Sequence, residues 1–110
     1  MLFSFSGEYS AEHLTAMRAN PDTNRRQATA QALEAGGCKL IEWYGRIANG
    51  PGVLVIFDAP DGATAAAVCS VAVSSGIQNP KMERLFSQDD IQGAREKAKT
   101  IAAAFRPPGQ

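Results

Sequence analysis

The chain has 110 residues and a mass of 11.7 kDa, which suits a single domain with an adequate rather than generous core; residues 1–105 are expected to form it and 106–110 a flexible tail. Eleven Lys and Arg balance eleven Asp and Glu, and apart from Arg25-Arg26 the cations are dispersed, so neither nucleic acid nor an anionic membrane surface is an expected partner. No basic segment runs into a long apolar one near residue 1, and the longest small apolar stretch, Ala63 to Val73, is about half a bilayer span, so a cytoplasmic protein without membrane contact is expected.

Leu2 to Tyr9 alternates Phe3, Phe5, Gly7 and Tyr9 against Leu2, Ser4, Ser6 and Glu8, the period of a strand with one aromatic and one mixed face. Ser10 is placed to cap a helix that turns His13, Leu14 and Met17 toward neighbours and breaks at Asn20-Pro21, since the residue before proline is pushed out of helical geometry. Asp22 or Thr23 is expected to restart it, and Gly36-Gly37 to end it. Cys38 to Ile47 reads as a second strand. Asn49-Gly50-Pro51-Gly52 then turns the chain into Val53-Leu54-Val55-Ile56-Phe57, a third strand forming a hairpin with the second.

Five consecutive apolar residues, three of them β-branched, are too few for an independent helix and lack the alternation of a strand with one wet side. The third strand is therefore expected to be dry on both faces. Asp61 caps a helix from about Gly62 to Ser75, built of Ala, Val, Cys and Ser small enough to let its backbone lie close on a sheet. Ile77 to Phe86 is a fourth strand, held to a sheet edge by Pro80. Ser87 caps a last helix reaching about Phe105, with Phe86 and Ile91 spaced as a hydrophobic staple and an apolar stripe through Ala94, Ala98, Ile101 and Phe105.

The order strand, helix, strand, strand, helix, strand, with an added terminal helix, is the ferredoxin-like βαββαβ plan of the α+β class. Both right-handed crossovers put their helices on one face of a four-stranded antiparallel sheet. The other face has no cover within the chain. Leu54 and Ile56, or Val53, Val55 and Phe57, must look out of it, and each such side chain gains roughly 1.5–3 kcal/mol on burial. A homodimer or higher homo-oligomer in which two sheets close a barrel resolves this exposure. The rival cover is the terminal helix folding back on its own sheet.

Several segments in order carry a family resemblance: Gly7-Glu8-Tyr9-Ser10, Asn20-Pro21 with Arg25-Arg26, Gly36-Gly37-Cys38-Lys39-Leu40, Trp43-Tyr44-Gly45, Val53 to Asp61, the alanine-rich helix ending Ser74-Ser75-Gly76, and Lys81. From Phe3 to Ala104 the chain resembles the GYD-domain family. Where the naming Gly-Tyr-Asp should precede Val53, it has Gly50-Pro51-Gly52, so no role of that tyrosine transfers. The resemblance implies a dimeric α/β barrel more firmly than any reaction. In such barrels a small-molecule site lies between sheet and helices, and some members are cofactor-free oxygenases or isomerases.

With the aromatic parity of the first strand facing that cleft, Phe5, Tyr9 and Trp43 would line it, opposite His13 and Met17 on one helix face. A histidine suits proton transfer near neutral pH. The plainer reading, and the favoured one, is that His13 takes a half-exposed place in a first helical turn and that Phe5 and Trp43 belong to the core. On the other parity Glu8, Glu42, Tyr44, Arg46 and Asp58 share a face with Ser4 and Ser6, as a polar network or as a solvated rim. The candidates are thus His13 and Tyr44 for catalysis, and Phe5, Tyr9, Met17, Trp43 and Arg46 for a ligand. Cys38 and Cys69 have no CxxC spacing, and with one histidine no metal or cofactor is expected. Two functions fit: binding of a hydrophobic or aromatic small molecule, with cofactor-independent isomerase, hydratase or monooxygenase chemistry, or a non-catalytic oligomerisation or regulatory module.

Overall fold

The computed structural model describes residues 1–110. Its elements are β1 (Leu2–Glu8), α1 (Ala11–Ala19), α2 (Arg25–Ala35), β2 (Lys39–Ile47), β3 (Pro51–Asp58), α3 (Gly62–Ser74), β4 (Gln78–Leu85) and α4 (Gln88–Ala104). One four-stranded sheet runs in the order β2-β3-β1-β4 with every neighbouring pair antiparallel. The hairpin β2–β3 and the two crossovers, through α1–α2 and through α3, give the ferredoxin-like plan.

Local chemistry sets the element ends. Ser10 accepts from the His13 amide at 3.2 Å, and Asp61 from the Thr64 amide at 2.7 Å. Ser87 and Asp90 form a reciprocal capping box. The restart after Pro21 falls later than expected: Asn24 caps α2, accepting from the Gln27 amide at 2.9 Å. The Thr23 hydroxyl instead donates to the Asn20 carbonyl at 2.7 Å, which ties it into the turn between the helices. Pro80 lies on β4, which pairs only with β1 and so is an edge strand.

Phe5 pairs with Val55 and Phe3 with Phe57, so these residues share the helix-covered face. Phe57 is completely enclosed, its ring stacked 5.8 Å from that of Phe3. Leu33, near the C-terminal end of α2, and Ala65, near the N-terminal end of α3, are the only helical residues fully buried on this core. At Gly52 an added Cβ would run into the Gly7 carbonyl oxygen on β1, so the β1–β3 crossing at this end of the hairpin requires glycine.

The opposite face is half open. Leu54 and Ile56 are only partly covered, whereas Ser4, Ser6 and Glu8 on central β1 are buried between β3 and β4. Within one chain β3 is therefore dry on one face only. The terminal helix does not fold back over the sheet: α4 has no extended contact with any other element, and beyond Gly93 every residue is exposed. The Cα radius of gyration is 18.1 Å, against about 13 Å for a compact chain of this length. No helix is long and apolar enough to cross a membrane.

Candidate functional site

A cleft of about 730 Å³ lies between the covered face of the sheet and helices α1, α2 and α3, within the usual range for small-molecule sites. It exists because the helical layer is pinned at one end. Leu33 and Ala65 anchor α2 and α3 beside Phe57, and an added Cβ on Gly36 would touch the Thr64 methyl, so these helix ends meet there. Away from that end, α1 contributes no buried residue, and the wall of α3 consists of small side chains such as Ala67, Val68 and Ala72. Their smallness was expected to bring the backbone down onto the sheet. It leaves the space between them unfilled instead.

Four of the residues singled out from the sequence meet here: Phe5, Tyr9, His13 and Met17 all line the cleft. Phe5 comes from the floor. Tyr9 continues the same parity beyond β1, its amide donating to the Pro51 carbonyl at 3.0 Å. His13 and Met17 lie one turn apart on α1. The imidazole packs against Gly76 just after α3, where an added Cβ would come within 2.8 Å of His13 Cε1. Gly76 has φ +112°, a backbone conformation that side chains rarely adopt.

The other three lie elsewhere. Trp43, opposite Val55, is on the covered face, but edge strand β2 sets its indole against the core beside the cleft. Its Nε1 is buried without a hydrogen-bond partner. Tyr44 and Arg46 pair with Leu54 and Gly52 and so point from the opposite, open face. Arg46 donates to Glu8 at 3.1 Å, and Asn79 donates to the other Glu8 oxygen at 3.4 Å. The Glu8 side chain is only 7% exposed. The Tyr44 hydroxyl donates to Glu42 at 3.2 Å in solvent. Alternation along β2, offset by the irregularity between Leu40 and Glu42, separates these residues from His13 by the thickness of the sheet.

Sequence reading missed the polar part of the wall. Arg25, on the first turn of α2, lines the cleft without an ion pair or a side-chain hydrogen bond, and that turn holds no acidic residue. No carboxylate lines the cleft. The only signal in the sequence was the adjacent basic pair Arg25-Arg26. At the pinned end the Thr64 hydroxyl and amide both donate to Asp61 and hold its carboxyl below the usual carboxylate range. Burial, reinforced by the carboxylates of Asp58 and Asp61, pushes the Cys38 thiol up. No group of three or more His, Cys, Asp or Glu side chains could hold a metal ion.

Among solved structures, the chain resembles 5-chloro-2-hydroxyhydroquinone dehydrochlorinase (TftG) from Burkholderia phenoliruptrix AC1100, in complex with 2,5-dihydroxybenzoquinone. The TM-score is 0.54 at 14% identity, over 81% of this chain and 97% of that one. At this identity the likeness establishes the fold, that of the dimeric α/β barrels. No curated protein matches. The GYD domain model matches residues 3–94, the whole sheet with α1 to α3 and the start of α4, and the chain belongs to the GYD-domain family.

Proposed function

We propose that this protein binds a small, mainly apolar molecule in the cleft between its sheet and α1–α3, and that two copies pair through their open sheet faces. The observation that carries the binding reading is the cleft itself: about 730 Å³ with mostly apolar walls and a few polar side chains. An apolar ligand removes those walls from water, at about 25 cal/mol per Å². Tyr9 and His13 are the wall residues able to donate or accept a proton. If the bound compound is transformed, the chemistry is proton transfer without a cofactor, with His13 as its catalytic group. A protein of the same fold holds a small ring compound, 2,5-dihydroxybenzoquinone, and the proposal gives this cleft a ligand of that size.

Pairing is supported by the half-exposed Leu54 and Ile56, and by Ile101 and Phe105, each 65% exposed on or just beyond the projecting α4. Tyr44 and Arg46 belong in this reading to the paired face. A metabolite screen by thermal shift, with wild type beside His13→Ala and Met17→Ala, tests the site. Ligands should raise the melting temperature of wild type by several degrees and that of the variants by less. A wild type that no ligand stabilises refutes binding, and sedimentation as a stable single subunit at micromolar concentration refutes pairing.

A further inference from the structure

We infer that the cleft selects an anionic aromatic compound, such as an arene carboxylate or an acidic phenol, whose charge is met by Arg25. The inference rests on the binding reading above and narrows it. A cationic ligand would require an acid, and no Asp or Glu lines the cleft. Arg25 is exposed at the cleft's rim and no carboxylate of the chain pairs with it, so its guanidinium is free to meet an anionic ligand in exchange for water. Elsewhere on the sheet Arg46 is paired with Glu8 and Lys81 with Glu83. Arg25 has no such partner, and it is the only Lys, Arg, Asp or Glu among the residues lining the cleft.

Ring size follows from the remaining walls. Phe5 and Val55 line the sheet side of the cleft above the enclosed Phe57, Met17 lines it from α1, and Tyr9 and His13 are lining residues whose side chains can hydrogen-bond oxygen substituents. Guanidinium presents its N–H groups in a planar fork matched to a carboxylate or to a pair of ring oxygens. The ligand is thus flat, apolar in its body and negative at one edge.

Three probes of one shape separate the possibilities: 2-naphthoate, 2-naphthylmethanol and 2-naphthylmethylammonium, titrated by calorimetry into wild type, Arg25→Gln and Arg26→Gln, with Met17 and His13 NMR shifts locating the probe. Wild type should bind the anion about tenfold tighter than the alcohol, equivalent to about 1.4 kcal/mol, and the cation least. Arg25→Gln should bring the anion to within about threefold of the alcohol, and Arg26→Gln, off the cleft wall, should keep the preference. Higher salt should shrink the wild-type ratio. Equal binding of anion and alcohol, preference for the cation, or equal losses in the two arginine variants would overturn the charge selection while leaving a binding cleft. Failure of all three probes to shift Met17 or His13 would remove the binding reading itself.

Discussion

Replacing Gly76 with alanine should cost about 2 kcal/mol of folding stability, and about half of that cost should vanish when His13 is also replaced. Two effects add at this position. Its φ of +112° is one an L-residue adopts only with strain, at roughly 1–2 kcal/mol. The new methyl would also stand 2.8 Å from His13 Cε1, well inside the ~3.5–4.0 Å of a comfortable carbon contact. Relief requires the imidazole to rotate away, at about 0.5–1.5 kcal/mol for an off-rotamer side chain. Urea unfolding of wild type, Gly76→Ala, His13→Ala and the double variant at one fixed protein concentration gives the cycle, with an expected coupling near 1 kcal/mol. Equal cost of Gly76→Ala in both backgrounds would refute the claim that this glycine seats the imidazole. In the His13-containing variant, any cleft ligand should bind more weakly as well, because the ring would have turned from its place on the wall.

Removing Arg46 by substitution with methionine strands the buried Glu8 carboxylate, and since Arg46 is itself 33% exposed the loss should be about 1–2 kcal/mol rather than the full figure for a buried pair. Adding Glu8→Gln should restore most of it in urea melts, and a double variant no better than the single would contradict this. Burial, with the carboxylates of Asp58 and Asp61, holds the Cys38 thiol above its ordinary value. Its stabilising effect is complete below the unfolded thiol value of about 8.5, and is lost as pH climbs through the folded value, where the unfolded chain holds fewer protons. Urea midpoints from pH 7 to 10 should fall less steeply for Cys38→Ala than for wild type, and parallel curves would count against burial as the cause. Because the Trp43 Nε1 proton is buried without an acceptor, Trp43→Phe should cost less than about 1 kcal/mol by thermal melting, far below the 3–5 kcal/mol typical of removing a core aromatic.

Face and order were legible where a short-range rule decides. Alternation in Leu2 to Tyr9 put Phe5 and Tyr9 on one side of the sheet without saying which side the helices cover, and a spacing of four put His13 and Met17 on one helix face; the structure brings the four together in the cleft. Ser10, Asp61 and Ser87 declared three helix starts by cap chemistry. Distance was not legible. The alanine-rich α3 carries the same residues whether it lies tight on a sheet or borders a cleft, because small side chains state which surface faces inward and not what fills the gap. Arg25 was hidden for a related reason: its role depends on where α2 starts, and that was set by Asn24 rather than by Asp22 or Thr23. Whether α4 folds back or leaves the body was open in the sequence, since an apolar stripe fits a partner's surface as well as its own; the structure has it leave.

That helix sets a condition on its own existence. Seventeen residues with only a capping box and local pairs to sustain them are barely helical in water, so α4 must borrow its order from whatever receives its stripe. Under the proposed pairing, with a second copy receiving the stripe, coil-to-helix conversion of the arm and association of subunits become one equilibrium, and far-ultraviolet ellipticity should rise with protein concentration.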